Sequence, residues 1–98
     1  MLNKYWTKTG YYEAKKMVTD WEQLHREDGP AVEVDNGSWC WIRNGLFHRE
    51  DGPAAYNAVT NRLFWYLHGE DYILEEFIQK TPYLKTDGER TMFYLKWK

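Results

Sequence analysis

The 98 residues hold one cysteine and three prolines. Cys40 alone cannot form an internal disulfide, so the chain is not a small disulfide-stapled scaffold, and a reducing, cytoplasmic setting is the expectation. A reactive thiol at Cys40, placed between Trp39 and Trp41, is the lesser reading beside a plain strand position. Long hydrophobic runs are missing as well. The longest, Trp39 to Ile42 and Leu63 to Leu67, fall far short of the roughly 20 residues that cross a bilayer, and Met1 to Gly10 has no signal-peptide core. No membrane contact is expected. Nor is there a basic excess: 13 Lys and Arg face 15 Asp and Glu, a net charge of −2, which argues against holding duplex DNA by its phosphates. A nucleophile elbow, a phosphate-cradling glycine loop, a metal-binding cysteine pair and an HExxH helix are all absent. Accordingly no catalytic residue, metal or cofactor is assigned.

What the chain has in quantity is aromatic side chains, 6 Trp, 8 Tyr and 4 Phe, enough large rings to build a core and to exclude disorder. They come with a repeat. His25 to Ala31 reads HREDGPA, and so does His48 to Ala54, an offset of 48 − 25 = 23 residues. A looser Trp-x-x-x-Gly recurs at Trp6 to Gly10, Trp41 to Gly45 and Trp65 to Gly69. A unit this short fits two strands and two connections. Asn44-Gly45 suits a type I′ hairpin turn, where both central residues need positive φ, and Asp35-Asn36-Gly37 offers the same chemistry. In Asp28-Gly29-Pro30 and Asp51-Gly52-Pro53 the Asp caps, the Gly is free to take positive φ and the Pro ends a ladder, so each triplet reads as a corner.

The fold class expected is mainly β: tandem antiparallel β-hairpins with one short capping helix and a terminal hairpin. A single domain over 1–98 divides into a degenerate first repeat (1–24), two HREDGPA repeats (25–69), the helix (70–82) and the hairpin (83–98). The helix rests on Ile73 with Phe77 and Leu74 with Ile78 at i, i+4, with acids early, Lys80 late and Pro82 beyond. It is expected to cover the open end of the stack. The hairpin rests on Asp87-Gly88 between Tyr83–Thr86 and Thr91–Trp97. In the first repeat Tyr5–Lys8, Tyr11-Tyr12 and Lys16-Met17-Val18 read as strands, with a helical turn over Glu13–Lys16 as the alternative. Two full repeats are fewer than stacking normally needs, so either the end segments complete the stack or two chains pair through strand edges; a monomer with completed ends is preferred, a homodimer the alternative.

The two HREDGPA segments, the Trp41-x-x-Asn44-Gly45 turn and Trp65-Tyr66-Leu67-His68-Gly69-Glu70 before an acidic helix resemble the MORN-like repeat proteins of tailed bacteriophages and some bacteria, over about residues 18 to 80. The resemblance implies a β-hairpin array and a small accessory protein that binds a host protein in the host cytoplasm, inhibiting a defence or regulatory factor. The alternative function is a module for a nucleotide signal or single-stranded nucleic acid.

Candidate binding residues follow from the same motifs. His25, Arg26, Glu27, His48, Arg49 and Glu50 bring imidazoles, guanidiniums and carboxylates into each repeat. The plainer reading makes them scaffold: the Asp residues cap turns, and His and Arg bond or stack on the neighbouring unit. If the segment is extended, His25 and Glu27 share one face and Arg26 and Asp28 the other, which divides any ligand set. Trp39 and Trp41, expected on one face, with Trp65 and Tyr66, are core in the plain reading and an exposed aromatic platform in the other.

Overall fold

The computed structural model describes residues 2–16 and 21–98. Strands β1 (Asn3–Thr7) and β2 (Gly10–Ala14) form the first hairpin, and a 3-10 turn follows at Trp21–Gln23. Then come β3 (Val32–Glu33), β4 (Trp39–Cys40), β5 (Ile42–Arg43), β6 (Leu46–Phe47), β7 (Ala55–Asn57), β8 (Arg62–Leu67) and β9 (Glu70–Tyr72), and helices α1 (Leu74–Lys80) and α2 (Asp87–Trp97) close the chain. Seven strands make one antiparallel sheet in the order β2-β1-β3-β4-β7-β8-β9, while β5 and β6 pair by themselves. The fold is mainly β. No helix among the described residues is long and apolar enough to cross a membrane.

Turn chemistry sets the registers. Asn44 and Gly45 have φ of 51° and 80°, and His68 and Gly69 have 50° and 83°, so the β5–β6 and β8–β9 hairpins turn through two left-handed residues each. The Asp35–Gly37 loop differs from the expected type I′ turn. Only Gly37 is left-handed, at φ 97°, and its N–H donates to the Val34 carbonyl, which makes a three-residue connection closed by glycine. Gly45 is also sterically bound, since a Cβ there would lie 2.9 Å from the Glu22 Cα.

Two buried clusters lie along the stack. Tyr5, Leu24, Ala31, Val32 and Ile42 form the first. Trp65, Leu67, Phe77, Ile78, Leu84 and Phe93 form the second, where both helices lie on β8. Phe77 packs on Trp65 with ring centroids 5.1 Å apart, Phe93 at 5.9 Å and Trp97 at 5.6 Å. Burying such rings contributes on the order of 1.5–3 kcal/mol each.

The structure corrects the sequence reading at the C-terminus. The expected terminal hairpin over 83–98 is helix α2 instead. Thr86 Oγ1 accepts from the Glu89 N–H and the Glu89 carboxylate accepts from the Thr86 N–H, a reciprocal cap that satisfies two of the four orphan donors of a helix start. With Phe93 and Trp97 drawn under β8, this outweighs the turn preference of Asp87-Gly88. The capping helix is also shorter than 70–82, because Glu70–Tyr72 pairs with Trp65–Leu67 as β9. Glu13 and Ala14 belong to β2 and not to a helical turn; of the strand expected at Lys16–Val18, residues 17 and 18 lie outside the described residues.

Replacing Gly45 by Ala adds a left-handed L-residue and a collision with backbone, and is expected to cost about 2–3 kcal/mol in urea unfolding. A loss below about 0.5 kcal/mol would mean the turn is not held against Trp21–Gln23.

Candidate functional site

The HREDGPA segments are irregular corners and not strands. The alternation that would divide their side chains between two faces therefore does not apply to them, and each acts as a clasp between the hairpins on either side. In the first, the His25 N–H donates to the Trp6 carbonyl and the Trp6 N–H to Ala31; in the second, His48 donates to Trp41 and Trp41 to Ala54. Toward the following hairpin, Arg26 N–H donates to Ile42 and Arg49 N–H to Tyr66. The imidazoles finish this grip. His25 Nδ1 accepts from the Asn44 N–H at 3.0 Å and His48 Nδ1 from the His68 N–H at 2.9 Å, so each histidine holds the left-handed residue of the next turn.

Each arginine lies between a ring and a glycine. The Arg26 guanidinium sits 4.0 Å from the Trp6 ring centroid and that of Arg49 4.1 Å from Trp41. A Cβ on Gly29 or Gly52 would meet the same Cζ at 2.7 Å. These glycines do not take the positive φ anticipated for them; they are glycine because the guanidinium occupies the space of a side chain. Arg26 also donates to Asp28 Oδ1 at 3.0 Å and the Pro30 carbonyl at 3.1 Å, and Arg49 to Asp51 at 2.9 Å and Pro53 at 3.2 Å. The Arg26 contact holds the Asp28 carboxyl below the usual carboxylate range.

His48 is buried. Because its Nδ1 accepts, its Nε2 carries the proton and donates to Glu50 Oε2 at 3.1 Å, and its ring lies 4.3 Å from that of His68. Burial pushes its pKa below the ordinary 6.5, the bond to Glu50 pulls the other way, and the charges of His68 and Arg43 press it down further.

Six of the ten candidate binding residues line one cleft of about 340 Å³ between the two corners: Arg26, Glu27, Trp41, His48, Arg49 and Glu50, with Asp28, Arg43, Asp51 and Tyr83. His25 is spent on the Asn44 turn. Trp39 lines a different cleft of about 410 Å³, with Cys40, Phe47, Tyr56 and Phe64 among its walls. Trp39 and Trp41 thus do not share a surface. The strand breaks at Trp41, whose N–H still meets the Ala54 carbonyl in step with the β4–β7 pairing while its carbonyl turns to the His48 N–H, and the two-residue alternation is lost. Trp65 is core, beneath Phe77, and Tyr66 is half-buried with its ring 4.9 Å from Phe47. Desolvation pushes the Cys40 thiol up to about 12, so it stays protonated at neutral pH. Among the described residues no three His, Cys, Asp or Glu side chains are grouped to hold a metal.

No family model matches the chain, and neither a curated protein nor a solved structure matches it significantly.

A third cleft, about 740 Å³, joins the first through Tyr83 and Asp51 and is walled by Leu84, Met92 and Phe93. These residues fall where the sequence predicts a terminal hairpin. The signal that finds them is Thr86-x-x-Glu89, which turns Met92 and Leu95 into i, i+3 neighbours on one helix.

Two outcomes are expected here. Gly52→Ala displaces Arg49 from Trp41 and its acceptors and costs about 1–2 kcal/mol; combined with Arg49→Ala, the double variant loses clearly less than the sum, as a double-mutant cycle in urea checks. Since the folded pKa of His48 is depressed below 6.5, the unfolded chain takes up the proton first. The contribution is present above that value and lost as pH falls from it through the lower folded pKa. Melting temperature is therefore expected to fall between neutral pH and pH about 5, less steeply in His48→Asn.

Proposed function

We propose that the chain is a small, non-catalytic binding protein of the MORN-like, phage-accessory kind, which acts by attaching to a host protein and so blocking a defence or regulatory factor in the host cytoplasm. The observation that carries this reading is the apolar surface left on the helical end. Tyr83, Met92 and Leu95 are 54%, 67% and 52% exposed, close to a cleft whose floor is Leu84 and Phe93. Contiguous exposed apolar side chains beside a concave surface are a common mark of protein contact. The repeated His, Arg and Asp, by contrast, are engaged inside the fold, so the HREDGPA motif is accounted for as scaffold.

The cleft between the corners suits a nucleotide or single-stranded nucleic acid less well. Three arginines, Arg26, Arg43 and Arg49, share it with four carboxylates, Glu27, Asp28, Glu50 and Asp51, and two of the arginines are already paired with aspartates. A phosphate there meets at least as much negative as positive charge.

Immobilised protein incubated with bacterial lysate is expected to enrich one specific partner. The Met92→Glu, Leu95→Glu double variant should lose that partner while keeping its melting temperature, both side chains being exposed. Retention of the partner by the variant, or a nucleotide-induced rise in melting temperature with no partner captured, would overturn the reading.

A further inference from the structure

The sheet has one open edge and one defended edge. At one end, β2 has β1 as its only neighbour among the described residues. Trp6 donates to Ala31 on the β3 side of β1, so by alternation Asn3, Tyr5 and Thr7 turn toward β2 and are met there by Ala14, Tyr12 and Gly10. The main-chain N–H and C=O of Tyr11 and Glu13 consequently point away from β1, out of the edge. β2 is the less defended of the two edges: it has no proline, its five residues pair with β1 in unbroken register, and Glu13 is its one charged side chain. The other edge strand, β9, has only three residues, Glu70 and Asp71 are exposed on it, and α1 begins one residue beyond it.

From this asymmetry we infer that β2 is a self-association edge that takes a second copy of this chain as an antiparallel strand. With the two-fold axis at Tyr12, Tyr11 of each copy faces Glu13 of the other, giving about four main-chain hydrogen bonds. Each Tyr11 hydroxyl already donates to the Glu13 carboxylate of its own strand, and this register sets those Tyr–Glu pairs side by side with unlike groups opposed. A shift of two residues one way would oppose Glu13 to Glu13, which charge disfavours, and the other way would oppose Tyr11 to Tyr11 and give up the Tyr11–Glu13 pairing. Because the β9 end is defended, pairing closes at two copies and does not propagate into fibres. The seven-stranded sheet of each copy becomes half of a continuous fourteen-stranded one, 7 + 7.

Sedimentation of the full chain from micromolar to millimolar concentration is expected to show conversion to a species of twice 11.9 kDa. Tyr11→Pro removes an N–H that β1 does not use together with a ring that packs 4.9 Å from that of Trp6, so it is read against Tyr11→Ala, which loses the ring and keeps the N–H; the dimer is expected to be roughly tenfold or more weaker in Tyr11→Pro than in Tyr11→Ala. Amide exchange of the unaltered chain supplies an independent readout, with Tyr11 and Glu13 slowing as concentration rises. A chain that stays monomeric to millimolar concentration overturns the inference. So does a dimer that Tyr11→Pro leaves as tight as Tyr11→Ala does, or one whose Tyr11 and Glu13 amides exchange at a rate independent of concentration.

Discussion

The structure depends on a guanidinium held flat between an indole and a glycine. Cation–π contact with Trp6 or Trp41, an aspartate two residues away and a proline carbonyl four residues away fix Arg26 and Arg49 so completely that the corner has one geometry. With strands as short as two residues, ladder hydrogen bonds alone would not define this sheet. The corner holds the strands in place: it takes the tryptophan of the hairpin before it, and through its histidine it takes the turn of the hairpin after it.

Trp65 shows what happens where this device stops. It occupies the position of Trp41 in the next unit, because Cys40 accepts from Ala31 as Phe64 accepts from Ala54. No third HREDGPA follows to lay an arginine over it. Phe77, Phe93 and Trp97 cover the ring instead, and Thr81 Oγ1 ties the end of α1 to the Glu50 carbonyl of the second corner. The helices replace a missing repeat with apolar contact, which explains why one tryptophan of the series is core while the other two keep a polar partner.

The parts legible in the sequence were those governed by local rules. Asn44-Gly45 announces its turn because few other dipeptides accept two left-handed residues, and Ile73, Leu74, Phe77 and Ile78 announce a helix by spacing. What was not legible depends on conformation and on distant residues. Arg49 stands only three residues before Gly52, but nothing in their spacing says that the corner folds the guanidinium back into the space of the missing side chain, and the burial of Trp65 depends on Phe93, a remote residue in sequence. Asp87-Gly88 misleads because a helix cap and a hairpin turn favour overlapping residue types, and the deciding residue is Glu89. Of the candidate site, the two corners converge as motif copies do in a stack, but Trp39 and Trp41 part because a strand break cannot be seen in a run of β-forming residues.

The two-sided grip of each corner bears on how the chain is made. The first clasp needs only Trp6 behind it and Asn44 ahead; the second needs Trp41 and His68; the helices then close on a ring already in place. A chain growing from its N-terminus can therefore lock each stage as soon as the next turn has emerged from the ribosome, with no earlier contact to undo. The geometry lets the order of synthesis serve as the order of assembly, with the aromatic surface of Trp65 covered only once the helices are made.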